Sequence, residues 1–358
     1  MSFGTEPAHN GLISLHALLL SEKYSGLPEW VSNTAEALTP EEWADHKLAF
    51  VGLYYTLVPQ ASWPSFPAYI ENLQNSDPVT LRDRMLNKYA QFPPKAGGKT
   101  KGPTADAPPV DWNHVLQDPE TYLAVLSERF GADHIDTEIE TRAYSYVIDP
   151  PAMQAMIVTH LRHMWDEYLG NEWMRVEPML KDSVRAFQQV DFSRLSKLEA
   201  AELVVESVAD EKEEWLRKRI EECQNVVFVP SAHIGPYVLT VENDDALWVM
   251  FGARLPVGIQ FDAPDLSRAE IVTQLNALAD DTRLQILKLI SDKGELRSQE
   301  VMKALDLSQS AASRHLKQLC ATGYLRARRC NGAKCYRFNP ERVSDTLHSL
   351  SNFFLLGE

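Results

Sequence analysis

The chain has 358 residues, enough for two or three domains and a large buried core. Hydrophobic residues make up 44% of it and charged residues 24%, the balance of a water-soluble globular protein, and no apolar run approaches the roughly 20 residues that span a bilayer. The apolar stretch 12–20 follows no basic segment and runs into Ser21-Glu22-Lys23, so it reads as a helix of the fold and not as a signal peptide. Four cysteines without an export signal point to the cytoplasm and reduced thiols. The net charge of −15 is uneven: from Leu266 onward 14 basic residues face 10 acidic ones, which is +4 and leaves −19 for the remainder. A polyanion would repel that acidic bulk and attract the small basic tail.

Helix-start signals recur through the first 220 residues. Thr39-Pro40-Glu41-Glu42 is a capping box with proline at the first helical position, Asp77-Pro78 and Asp118-Pro119 repeat the cap-then-proline form, and Ser196 to Glu199 is a second box. The patterns between them predict helices over 43–57, 79–89, 122–130, 152–169 and 198–223. Segment 93–109 holds Pro, Gly, Lys and small residues with little to bury, and is read as a loop. After Cys223 the period shortens. Short β-branched and aromatic runs at 226–229, 237–241 and 247–251 predict a small antiparallel sheet, followed by a linker over 255–264. The first domain, residues 1–265, is thus expected to be mainly helical and closed by a small sheet, an α+β arrangement.

The tail, residues 266–358, reads differently. Ser267 and Asp281 each cap a helix, with apolar stripes Ile271, Leu275, Leu278 and Leu284, Leu287, Ile290. A third helix runs from Ser298 to Leu305. Ser308 caps a fourth over 309–322, closed at Gly323, and only three residues separate the two. In this fourth helix Ala312, Leu316 and Leu319 point inward, while Ser310, Ser313, Arg314 and Lys317 fall at i, i+3, i+4 and i+7 on an outward face. Small hydroxyls allow deep entry into a major groove, and the cations reach guanine edges or phosphate. Ser308, Gln309 and Ser310 sit at the helix start, where backbone N–H groups meet phosphate. Two strands, 324–329 and 334–339, flank Asn331-Gly332 and carry Arg326, Arg328, Arg329, Lys334 and Arg337, a basic hairpin suited to a phosphate backbone. The closing helix, 341–354, shows the stripe Val343, Leu347, Leu350, Phe354. Together with Ile271, Leu275 and Leu278 it offers more apolar surface than one small domain buries, which predicts a dimer interface. The whole is a winged helix-turn-helix.

Residues 277–287 (ALADDTRLQIL) and 307–317 (LSQSAASRHLK) resemble the ArsR/SmtB family of bacterial winged-helix repressors. The resemblance covers about residues 269 to 354 and implies a homodimer paired through first and last helices, binding to a double-stranded DNA operator, and release by an effector. On matching positions it implies DNA contacts from Ser310, Ser313, Arg314 and His315. Metal-sensing members carry Cys-x-Cys near the third helix, and 298–301 (SQEV) has none; Asp345 and His348 lack the second ligand pair, so no metal site is assigned. Cys330 and Cys335 are placed to face each other across the hairpin, with Cys320 nearby, but cytoplasmic thiols are ordinarily inert.

The N-terminal 265 residues contain all eight tryptophans, which leaves room for a small-molecule effector site. His160, His163, Asp166 and Glu167 share a helix, with His163 and Glu167 at a chelating spacing, yet such a charged face is ordinarily solvated. His233 lies alone in a loop. No phosphate-cradling glycine loop, Gly-x-Ser-x-Gly elbow or Cys-x-x-Cys is present, so neither catalysis nor a cofactor is expected. The competing reading is an enzyme or protein-interaction module that uses the winged helix as a scaffold.

Overall fold

The computed structural model describes all residues except 22–23, 25, 95–106, 206–212, 244–245, 255, 257–267, 331–332 and 356–358. Most of the loop read over 93–109, nearly all of the linker over 255–264 and the Asn331-Gly332 turn therefore lie outside the described residues. The chain forms two compact units, one of Pro7–Leu12 with Ala37–Asn171, the other of Met1–Glu6, Ile13–Glu36 and Glu172–Glu358. The division expected at residue 265 falls within the span of the second unit and outside the described residues.

The first unit is helical. The expected caps form: Thr39, Asp77 and Asp118 each accept a backbone N–H from the first turn, ahead of helices Pro40–Lys47, Pro78–Ala90 and Pro119–Phe130. The single helix expected over 43–57 is broken by a π-turn at Leu48–Gly52, where Leu53 N–H reaches Leu48 O at 3.0 Å. A Cβ on Gly52 would lie 2.7 Å from Ala143 Cβ, so only glycine permits this close approach. Helix Pro150–Met164 likewise runs into a π-turn at Trp165–Leu169.

Those two helices meet through histidines. His46 Nδ1 lies 3.0 Å from His160 Nε2, both side chains buried. One ring donates and the other accepts, and burial pushes His160 down to about 4. His163 pairs with Glu42 at 2.6 Å and not with Glu167. The Thr39 backbone N–H, with His163, holds Glu42 down to about 2. Among the described residues no cluster of three or more His, Cys, Asp or Glu side chains could hold a metal ion.

The second unit opens with strand β1 (Ser2–Phe3), too short for any sequence period to reveal. It continues after residue 171 with helix α1 (Gly170–Gln188) and the strands β2 (Asn225–Ser231), β3 (Leu239–Glu242) and β4 (Ala246–Gly252). The sheet order is β1-β2-β4-β3. Its pairing corrects the antiparallel expectation: β1, β2 and β4 run parallel, with Asn225 opposite Ala246 and Ser231 opposite Gly252, and only β3 is antiparallel to β4. A strand buried on both faces is typical of parallel pairing, and every residue of β4 from Ala246 to Phe251 is buried. The helix expected over 198–223 is two, Lys197–Val205 and Glu213–Glu222, whose Val204, Leu216 and Ile220 cover Phe228, Leu247 and Val249. Phe3 stacks between Phe187 and Phe228 at 5.4 and 5.5 Å. Each fully buried side chain of this kind contributes about 1.5–3 kcal/mol.

The loop after β2 is keyed by His233. Its Nε2 lies 2.9 Å from Glu172 Oε1 and its Nδ1 2.7 Å from Ser14 Oγ, with Trp30 packed on the ring at 4.4 Å. The carboxylate accepts, so Nε2 carries the proton and Nδ1 accepts from Ser14. Burial holds the ring below its ordinary value and works against ionised Glu172, but the hydrogen bonds from His233 and Arg175 bring Glu172 down to about 2. Ser14 is 0% exposed, and the chain Ser14–His233–Glu172 fixes the loop.

Candidate nucleic-acid interface

The carboxyl-terminal part of this unit comprises α2 (Arg268–Leu278), α3 (Asp281–Lys293), strand β5 (Leu296–Arg297), α4 (Ser298–Leu305), α5 (Gln309–Ala321), strands β6 (Leu325–Cys330) and β7 (Ala333–Phe338), and α6 (Pro340–Leu355). The sheet order β5-β7-β6 is antiparallel throughout. Ile286, Ile290, Val301, Leu316, Leu319 and Tyr324 are among the side chains of its core.

The turn between α4 and α5 is built from its sequence. Asp306 takes the left-handed conformation, φ 51°, and Leu307 N–H bonds back to Met302 O at 3.0 Å. Ser308 Oγ then accepts from Ala311 N–H at 3.2 Å and starts α5. The helix ends at Gly323, φ +80°.

Gln309, Ser310, Ser313 and Arg314 are exposed on one face of α5. Ser308 is exposed at the cap. Lys317 is half-buried: its Nζ lies 2.9 Å from Tyr24 Oη and 4.1 Å from the centre of that ring. His315 lies inside, 9% exposed and 3.9 Å from Asp280, away from the face its neighbours share. Burial lowers its pKa.

In the hairpin, Arg326 and Arg337 are exposed and directly opposite each other. The register sets Arg329 opposite Lys334, which is half-buried, and Arg328 opposite Cys335. The backbone register pairs Cys330 with Ala333 and Cys335 with Arg328, so the two cysteines are not register partners. Cys335 and Cys320 are buried, and burial pushes the Cys320 thiol up to about 12.

Sequence reasoning missed the residues that hold α5 in place. The inward stripe of α3 is Arg283, Ile286, Leu287 and Ile290, with Leu284 49% exposed, and its cap is Asp280 where Asp281 was expected. Arg283 donates to the carbonyls of Asn276 (2.7 Å) and Ala277 (2.8 Å) and to Gln318 Oε1 (2.9 Å), tying the end of α2 to α5. The signal was the spacing 283, 286, 287, 290, disguised by a charged residue at its head.

At the domain's other end, Gln274 Oε1 accepts from Thr346 Oγ1 at 2.6 Å, and Thr346 meets Tyr324 Oη at 2.9 Å. Helices α2 and α6 thus join through buried polar groups. Ile271 is buried, Leu275, Leu278, Val343 and Leu350 are partly covered, and Val272 (47%), Leu347 (56%) and Phe354 (72%) are exposed.

A capped helix-turn-helix followed by a basic antiparallel hairpin defines a winged helix-turn-helix. Residues 280–327 match the family model for the bacterial regulatory proteins of the arsR family, so the chain carries an ArsR-family helix-turn-helix domain in its carboxyl-terminal part. It is 48% identical over 64 residues to the arsenic resistance transcriptional regulator ArsR1 of Pseudomonas putida, covering 18% of this chain and 50% of that protein. It is 46% identical over 68 residues to ArsR2 of the same organism (19% of this chain, 59% of that protein). It is also 44% identical over 63 residues to the arsenical resistance operon repressor of Escherichia coli (18% of this chain, 54% of that protein). The chain therefore spans between half and three fifths of these relatives. No solved structure matches it. Among the described residues no helix is long and apolar enough to cross a membrane.

Proposed function

We propose that this protein is a sequence-specific, DNA-binding transcriptional regulator. The observation that carries the reading is the exposed row Gln309, Ser310, Ser313 and Arg314 on a capped helix directly after a tight turn, in the segment that matches the arsR family. The row enters a major groove; Arg314 reads a base edge, and Arg326 and Arg337 lie on the phosphates beside it.

The finer reading is a cytoplasmic homodimeric repressor that leaves its double-stranded operator when a small-molecule effector binds the remainder of the chain. The exposed Val272, Leu347 and Phe354 on α2 and α6 support pairing across those helices. The similarity to the arsenical resistance operon repressor of Escherichia coli supports repression. The reading needs no catalysis, metal or cofactor.

Duplex binding measured by fluorescence anisotropy against salt tests it. Affinity falls steeply as salt rises, because bound phosphates release counterions. Arg314→Ala costs about 1–3 kcal/mol and relaxes the preference at one base position, whereas Arg326→Ala weakens every sequence alike. Binding that ignores salt and both substitutions would leave the winged helix as a scaffold and sink the proposal.

A further inference from the structure

Beneath the carboxyl ends of β2 and β4 lies a cleft of about 530 Å³, within the size range of small-ligand sites. In sheets with parallel strands, the crevice outside those ends is where ligands bind, since the chain there turns away and leaves its polar groups uncovered. Ser231 at the end of β2 with Ala232 after it, and Gly252 at the end of β4 with Ala253 and Arg254 after it, form one wall. Val176 and Met179 of α1 form another. The third comes from the winged helix: Gln274 and Asn276 of α2, Thr322 after α5, and Arg342 of α6.

The lining is amphipathic with a distinct sign. Among the described residues the lining carries the guanidiniums of Arg175, Arg254 and Arg342 and the carboxylate of Glu29, with Glu172 pairing Arg175 from outside the lining. The guanidiniums are held in position: Arg175 by Glu172, Arg254 by the carbonyl of Val204, Arg342 by the carbonyl of Thr322. Phe251, Val176 and Met179 supply apolar surface beside them.

One rim of the cleft is a run of close backbone contacts that ends on a side chain of α5. A Cβ on Gly252 would lie 2.3 Å from Gly235 O, one on Gly235 would lie 2.4 Å from Gly26 O, and one on Gly26 would lie 2.3 Å from Gln318 Nε2. All three glycines line the cleft, and Gln318 is the residue that Arg283 grips. Tyr24 and Tyr237, flanking the same contact, hold Lys317.

We propose that this cleft binds a small amphipathic anion, a carboxylate or sulfonate on an apolar body. Its occupancy governs the seating of the β2–β4 ends on α5 through Gly252, Gly235, Gly26 and Gln318. The inference rests on the regulatory reading and adds to it the site and ligand class of the effector.

The test titrates the full chain with anilinonaphthalene sulfonate, an aromatic anion that fluoresces when shielded from water. Straight-chain carboxylates and the matching alcohols then compete. The expected result is saturable one-site binding displaced by carboxylates far better than by alcohols. Arg175→Gln combined with Arg342→Gln weakens it at least tenfold, and Met179→Trp, which fills the cleft from α1, removes it; circular dichroism verifies that each variant is folded. Hydrogen exchange of residues 232–238 and of the last turn of α5 slows when the probe is bound. Binding unchanged in folded variants, signal lost in Phe354→Ser instead, or unaltered exchange in α5 would overturn the proposal. Duplex binding of the unmodified chain without probe is measured separately. Its absence alongside intact cleft binding refutes the gene-control reading and not the site, and the converse refutes the site alone.

Discussion

Replacing Arg283 with methionine keeps an unbranched apolar stem and removes the guanidinium with its charge and donors. In the native protein that guanidinium satisfies the carbonyls of Asn276 and Ala277 and the amide oxygen of Gln318, itself 1% exposed. Burial lowers the Arg283 pKa without discharging it, so the three bonds are charge-assisted. An acceptor left buried without a partner costs about 1–3 kcal/mol. One of the three, the Asn276 carbonyl on an exposed residue, regains water, so the expected loss is about 3 kcal/mol. With a urea dependence of about 1–2 kcal/mol per molar, the midpoint falls by roughly 1.5–3 M. Far-UV circular dichroism follows this transition. Tryptophan fluorescence follows the rest of the chain, because every tryptophan lies at or before Trp248. A dichroism midpoint that moves by less than about 0.5 M would refute the claim that Arg283 locks α5 to α2.

Three further outcomes are expected. His160 takes up a proton in the unfolded chain near its ordinary value of 6.5 but resists down to about 4 when folded. Its contribution is therefore complete above pH 6.5 and declines by about 3 kcal/mol as the pH falls through that window; a His160→Phe variant lacks the decline, and parallel acid titrations of stability would contradict this. Cys320, buried with its thiol raised to about 12, resists maleimide in the native protein and reacts once urea unfolds it, as intact-mass spectrometry would reveal. If the proposed dimer pairs across α2 and α6, Leu347→Ser with Phe354→Ser lowers the sedimentation coefficient of the native chain, whereas an unchanged coefficient would contradict that pairing.

Much of the winged helix was legible because its signals are local. Ser308 caps α5 and Gly323 ends it, both within one turn of the features they govern. What escaped was set by distance. Ser14 and His233 are 219 residues apart, so a loop histidine seemed idle until the fold supplied its partners. The parallel pairing of β2 and β4 was hidden because alternation within a strand says nothing about the direction of its neighbour. The π-turns at 48–52 and 165–169 keep apolar residues on one face while slipping the register by one residue, so the helical pattern reads as unbroken. At the interface, the exposure of Arg314 followed from helical spacing, whereas the burial of His315 depended on Asp280 and on what lies outside α5.

The run of glycines beneath the sheet has a consequence for how this protein can change over generations. Where two segments meet through side chains, a methyl gained or lost shifts the fit by a graded amount. Gly252 and Gly235 press on main chain with no such cushion, Gly26 presses on the Gln318 amide, and Gly235 and Gly26 also sit at positive φ, so even alanine at any of the three collides or strains the backbone. Divergence that adjusts this contact is thereby confined to the side chains around that seam, Gln318, Tyr24 and Tyr237.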